Sequence, residues 1–173
     1  DGGANVLKKT PEAAEEVLFD AVSTSRKRYP DLQIKTVIPD EFVTAPMDPL
    51  LIKQVLLNLI ENAYFHARST KPLECTLSST EDAIKFCIRD YGTGIAPDRL
   101  SGIFDAVPSA PSSAASTVDT RKGMGIGLSI CKAIVNAHNG EITARNLTEG
   151  AEFCFTSPKE EIHHETNDSN PRH

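Results

Sequence analysis

The chain has 173 residues, 39% of them hydrophobic, enough for one domain with a buried core. Eighteen Lys and Arg against 24 Asp and Glu leave a formal charge of −6, which argues against a nucleic-acid binder and requires anionic ligands to be met locally. No run of about eighteen apolar residues and no signal peptide is visible, so neither a membrane span nor secretion is expected of this fragment, although the whole protein it comes from could be membrane-bound.

Residues 1–9 carry no pattern and read as a linker or cloning remnant. Thr10-Pro11-Glu12 reads as the N-cap, first position and acidic first turn of a helix with the apolar stripe Ala13, Ala14, Val17, Leu18, Ala21 and Val22, ending before Pro30. Leu32 to Ile38 alternates as a strand, Phe42 to Ala45 is a second candidate, and Asp48-Pro49 opens a long helix to about Arg68. Leu73 to Ser79 and Ala83 to Arg89 predict a hairpin around Thr80-Glu81-Asp82, and Pro97 starts a short helix through Phe104. Val107 to Thr120 is rich in Ser, Ala, Pro and Thr without apolar periodicity and predicts a mobile loop. A helix from Met124 to about His138 is stopped by Asn139-Gly140, and Glu141 to Leu147 with Ala151 to Thr156 makes a last hairpin around Glu149-Gly150. Residues 159–173 form a polar tail. Consecutive strands joined as hairpins exclude regular βαβ units and predict one α+β domain over 10–158, a two-layer sandwich whose mixed sheet carries helices on one face.

Cys75, Cys87, Cys131 and Cys154 are far apart with no CxxC spacing, each in an apolar stretch, and are expected to be reduced thiols acting as small buried hydrophobes.

Three clusters carry chemistry. On the helix after Asp48, the residues Asn58, Asn62 and His66 share one ridge at the edge of the apolar arc. Asparagine is a poor helix former, and two of them one turn apart suggest amide oxygens facing a cleft where they accept from water or ligate a hard cation. Asp90 ends an apolar strand and is followed by Gly92 and Gly94, which free the backbone to approach a flat ligand, while the carboxylate can accept from an exocyclic amine. Gly123, Gly125 and Gly127 stand where helical periodicity begins, so backbone amides and the helix dipole there suit phosphate, with Arg121 and Lys122 alongside.

In this order the clusters resemble the GHKL superfamily of ATP-binding domains, and more closely the catalytic domain of bacterial sensor histidine kinases, over most of the chain. Asn58-Leu59-Ile60-Glu61-Asn62-Ala63 resembles the N box, Asp90-Tyr91-Gly92-Thr93-Gly94-Ile95 the G1 box, Ile103-Phe104-Asp105 the F box and Gly123-Met124-Gly125-Ile126-Gly127-Leu128 the G2 box. The stretch Ser129 to Gly140 is similar to kinases of the potassium-responsive Kdp type.

The resemblance implies the Bergerat ATP-binding fold, a lid over about 107–122, and a domain that uses ATP and Mg²⁺. It implies that Asn62 ligates Mg²⁺, that Asp90 receives the adenine amine in a pocket shaped by Gly92, Gly94 and Ile95, and that Gly123, Gly125, Ile126, Gly127 and Leu128 cradle phosphates. Asn58, Asn62 and Lys122 are the implied catalytic residues, and His66, Phe104 and Arg121 are expected at the nucleotide. Asn58 occupies the position where water-splitting members carry a glutamate, which implies phosphoryl transfer rather than hydrolysis.

Phe65 stands where histidine kinases often have Lys or Arg, leaving Arg68, Arg121 or Lys122 to meet phosphate, and Val107-Pro108 replaces the second aromatic of the F box, implying a loosely anchored lid. The implied acceptor is a histidine on a separate dimerisation domain, with a response regulator downstream and a cytoplasmic location. An anti-sigma-type serine kinase and a nucleotide-sensing module without phosphotransfer are the alternative readings.

Overall fold

In chain order the elements are β1 (Thr10–Ala13), α1 (Ala14–Arg28), β2 (Ile34–Val37), β3 (Thr44–Met47), α2 (Pro49–His66), β4 (Leu73–Ser79), β5 (Ala83–Arg89), α3 (Pro97–Leu100), α4 (Met124–Ala137), β6 (Ile142–Asn146) and β7 (Ala151–Pro158), within residues 7–105 and 124–160, the part that the computed structural model describes. Five strands form one sheet in the order β2-β4-β5-β7-β6, parallel between β2 and β4 and antiparallel elsewhere, and β1 pairs with β3 in a separate two-stranded sheet.

The period-2 burial of the strands explains the layering. Leu73, Cys75 and Leu77 on β4, Ile84, Phe86 and Ile88 on β5, and Phe153 and Phe155 on β7 are buried on one sheet face. They join a core with Leu18 and Val22 of α1, Val55, Leu56 and Leu59 of α2, and Leu128 and Val135 of α4. Each such aliphatic side chain contributes about 1.5–3 kcal/mol by leaving water. The other sheet face carries no helix among the described residues. There the register lines up Lys35, Glu74, Arg89, Glu152 and Arg145 across all five strands, an alternation of charge in which each neighbour is of opposite sign.

Several expectations are corrected. Residues Thr10 to Ala13 are strand, not helix. β1 lies against β3, and α1 starts at Ala14 with Ala13 as an N-cap that makes no side-chain hydrogen bond. The second short strand is Thr44–Met47 rather than Phe42 to Ala45, with Phe42 exposed. The helix opened by Pro97 ends at Leu100 and continues as turns to Phe104. The cysteines are not four free thiols. Cys87 and Cys154 face each other across β5 and β7 and are joined as a disulfide, with their Cα atoms 4.1 Å apart. A separation of 67 residues hides this pairing from the sequence, and only the antiparallel register brings the two together. Cys75 and Cys131 are buried free thiols, as expected.

Candidate functional site

The site begins where α2 ends. Its capping residue is Ala67, followed by Arg68 in the left-handed region at φ 51°, so the last carbonyls of the helix have no partner inside it. The loop after β5 supplies one, since the Thr93 N–H donates to the Ala67 carbonyl at 3.1 Å. Gly92 is required for this approach, because a Cβ there would lie 1.7 Å from the Ala67 oxygen. The same loop is fixed from its other side by Ser69 Oγ, which accepts from the Tyr91 N–H at 2.9 Å, and by Thr70, whose N–H and Oγ1 both donate to the Tyr91 carbonyl at 3.2 Å.

Asp90 is held in place by the chain around it. It is 4% exposed; its Oδ1 accepts from the Gly92 N–H at 2.9 Å and the Ala151 N–H at 3.2 Å, and its own N–H donates to the Ala151 carbonyl at 3.0 Å. Gly150 makes room for it at φ 80°, where a Cβ would come 2.0 Å from the Asp90 carbonyl oxygen. Two backbone donors on one carboxylate oxygen leave the second oxygen with no hydrogen-bond partner among the described residues, an acceptor fixed in direction.

That carboxylate lines a cavity of about 150 Å³ together with Asn62, His66, Ala67, Thr93, Gly94, Ile95, Ala96, Arg99, Ala151 and Phe153. Asn62 reaches it from α2, and its Oδ1 is buried without a hydrogen-bond partner among the described residues. A buried, unpaired amide oxygen is costly unless a ligand satisfies it. A larger hollow of about 1030 Å³ beside Val37 to Thr44 has no amide side chain and no guanidinium among the described residues that line it.

Residues 47–161 match the family model described as histidine kinase-, DNA gyrase B-, and HSP90-like ATPase. The chain belongs to this family. Relatives of these ATPase domains include the sensor protein KdpD of Clostridium acetobutylicum, 38% identical over 92% of this chain and 18% of that protein, and the adaptive-response sensory kinase SasA of Synechococcus elongatus, 36% identical over 90% of this chain and 43% of that protein. The chain thus spans less than half of either relative. Among solved structures, full-length ShkA in complex with AMPPNP superposes with a TM-score of 0.73 at 26% identity, over 90% of this chain and 32% of that one. The catalytic domain of histidine kinase ThkA, nucleotide-free, matches at a TM-score of 0.68 and 24% identity over 87% of this chain and 95% of that one, a likeness of fold.

Against this family's ATP-binding fold, the predicted site residues fall into three groups. Asn62, His66, Asp90, Gly94 and Ile95 line one cavity, and Gly92 shapes its rim. Asn58 lies one turn back on α2, where its Nδ2 donates to the Gly127 carbonyl at 3.4 Å and so ties the N-box helix to the first turn of α4. Gly125, Ile126 and Gly127 lie within that first turn rather than ahead of it. Leu128 is a core residue at 1% exposure, and Phe104 packs edge-on against Phe153 with ring centroids 6.1 Å apart. Arg121, Lys122, Gly123, the lid over 107–122, Val107-Pro108 and the residues from 161 onward lie outside the described residues. Arg68 lines a different hollow, of about 320 Å³, and Phe65 packs with Tyr29 and Tyr64 in an aromatic cluster.

Arg99 and Asn146 are among the residues of the site that went unread in the sequence. Arg99 lines the cavity from α3, and only its place three residues after Ala96 in a short turn of helix marks it. Asn146, the last residue of β6, clamps the G1 loop. Its Oδ1 accepts from the Ile95 N–H and its Nδ2 donates to the Ile95 carbonyl, both at 2.7 Å, which imitates a β-bridge with a side chain.

Proposed function

We propose that this chain is the Mg-ATP-binding catalytic domain of a sensor histidine kinase, passing the γ-phosphoryl group of ATP to a histidine on a separate dimerisation domain, in a protein whose phosphoryl group then goes to a response regulator. The observation that carries the reading is Asp90, a nearly buried carboxylate with one oxygen held by two backbone amides and the other left to accept the adenine amine. A cavity of about 150 Å³ is below the range of about 300–1,000 Å³ for sites enclosing a drug-sized ligand. It suits the base, with the phosphates running out past Asn62 and Arg99 toward the first turn of α4.

The orphan Oδ1 of Asn62 fits a hard cation, because a neutral amide oxygen is an ordinary ligand for Mg²⁺ in the company of phosphate oxygens. When bound, Mg²⁺ supplies charge neutralisation at the β- and γ-phosphates. The chain's own residues position: Asp90 orients the base, Asn58 ties α2 to α4, and the N-terminal amides of α4 face phosphate oxygens. Asn58 has no basic atom to take a proton from water, which favours transfer over hydrolysis. His66 borders the base pocket, and Lys122 and Arg121 are the cations this reading assigns to the phosphates. The location that goes with this reading is cytoplasmic, and no helix among the described residues is long and apolar enough to cross a membrane.

The test is calorimetric titration with a non-hydrolysable ATP analogue, with and without Mg²⁺, on wild type, Asp90→Asn and Asn62→Ala. Asp90→Asn is expected to weaken binding at least about tenfold, a loss of about 1.4 kcal/mol, and Asn62→Ala to abolish the Mg²⁺ dependence while leaving the fold intact. Wild-type affinity in Asp90→Asn would remove the base pocket from this account.

A further inference from the structure

The four cysteines are of two chemical kinds. Cys75 and Cys131 are both fully buried, and burial pushes their thiols up to about 12, so they are inert at neutral pH. Cys87 and Cys154 lie on the opposite face of the sheet, which carries no helix among the described residues, directly across the β5–β7 ladder. The bond from the Asp90 N–H to the Ala151 carbonyl fixes the alternation of that ladder and makes residues 87 and 154 a non-hydrogen-bonded pair, the kind whose side chains come closest. Cys87 is half-buried, whereas Cys154 is 6% exposed, so a reagent reaches the sulfur of Cys87 first.

The pair is joined to the nucleotide site by the shortest possible route. Cys87 precedes Asp90 by three residues and Cys154 follows Ala151 by three, with Ile88 opposite Phe153 and Arg89 opposite Glu152 between them. The crosslink therefore sits about 10 Å along the same two strands from the junction that aims the Asp90 carboxylate.

We propose that Cys87 and Cys154 form a reversible thiol–disulfide modification site whose state sets how firmly β5 and β7 are held at the Asp90–Ala151 junction, and through it how tightly the cavity binds nucleotide. The proposal rests on the catalytic-domain reading for its ligand and for a reducing compartment, where a disulfide is transient and redox-responsive rather than a permanent staple. In the reductive direction the thiolate of a dithiol reductant attacks the Cys87 sulfur, the S–S bond breaks, and Cys154 leaves as a thiolate that takes a proton. The second thiol of the reductant then displaces Cys87 from the mixed disulfide and is itself oxidised, so two electrons and two protons pass to the pair. A low-molecular-weight disulfide reverses both steps.

The test uses the full 173-residue chain equilibrated with oxidised or reduced glutathione and with dithiothreitol. Alkylation and peptide mass spectrometry are expected to label Cys87 and Cys154 in the reduced, folded protein and neither in the oxidised one, with Cys75 and Cys131 unlabelled in both. Hydrogen exchange at the Asp90 and Ala151 amides is expected to slow on oxidation, and affinity for a non-hydrolysable ATP analogue to rise about fivefold, at the low end of allosteric couplings. Cys87→Ser and the pair Cys87→Ser with Cys154→Ser are expected to stay at the reduced affinity whatever the poise. A pair that does not interconvert in glutathione, unchanged amide exchange, or equal affinity in the two states overturns the proposal. Binding in neither state is instead a failure of the catalytic-domain reading, and the amide exchange then decides the redox proposal alone.

Discussion

Asn146 imposes more on the site than its position at a strand end suggests. Two hydrogen bonds of 2.7 Å hold the Ile95 peptide groups, and Ile95 lines the cavity next to Gly94. Asn146→Ala removes both partners, and at about 0.5–1.5 kcal/mol per hydrogen bond the expected loss of stability is about 1–3 kcal/mol, read from denaturant midpoints. Asn146→Asp keeps the acceptor for the Ile95 N–H and loses the donor, so it should fall between wild type and alanine. A G1 loop that keeps its nucleotide affinity in Asn146→Ala would show that the clamp is dispensable. Asp90 and Asn62 were legible in the sequence because their oddity is local, a carboxylate between an apolar strand and two glycines, and amides inside a helix. Asn146 was not, because a polar residue at the end of a hairpin strand is ordinary until the loop it grips, 51 residues away, is folded beside it.

At the scale of elements, the site depends on the seam between the end of α2 and the loop after β5. Gly92→Ala would drive a methyl group into the Ala67 carbonyl 1.7 Å away, with backbone on both sides and no flexible side chain to yield. The seam must open, breaking the bond from the Thr93 N–H to Ala67. The expected cost is about 1–3 kcal/mol, the range for overpacking, accompanied by weaker nucleotide binding. A thermal scan and an analogue titration on one preparation check it, and wild-type values in both would mean that the seam is soft. The periodicities that placed α2, α4 and the two hairpins within a residue or two succeeded because burial follows the local period. The same reasoning failed for Thr10–Ala13, where a proline and an acidic residue imitate a helix start, because what decides that segment is its antiparallel register with Thr44–Met47, a contact made after 30 residues of chain.

Across the whole molecule, one buried histidine joins the parts that the two helices of the site depend on. His138 is fully buried at the end of α4, its Nδ1 lies 2.8 Å from the Ile134 carbonyl, and its Nε2 accepts from the Asp48 N–H at 3.0 Å. A carbonyl only accepts, so Nδ1 carries the proton and the ring is neutral. Asp48 in turn caps α2 through Leu51 and accepts from the Lys8 N–H, so the imidazole ties α4 to the start of α2 and to the segment entering β1. Burial, with a smaller contribution from Lys9, holds the His138 pKa below its ordinary 6.5, against the opposing pull of the Ile134 carbonyl and Asp48. Above 6.5 both the folded and the unfolded chain keep this ring neutral and it costs nothing. As the pH falls through 6.5 the unfolded chain takes up a proton that the folded chain resists, so stability declines from there down to the folded pKa and levels off below it. An imidazolium has no lone pair for the Asp48 N–H, so protonation breaks the tie between the end of α4 and the start of α2. Urea midpoints of wild type measured from pH 8 to pH 5 are expected to fall below about 6.5 relative to His138→Gln, which keeps an acceptor without titrating; parallel curves for the two proteins would place the acid sensitivity elsewhere.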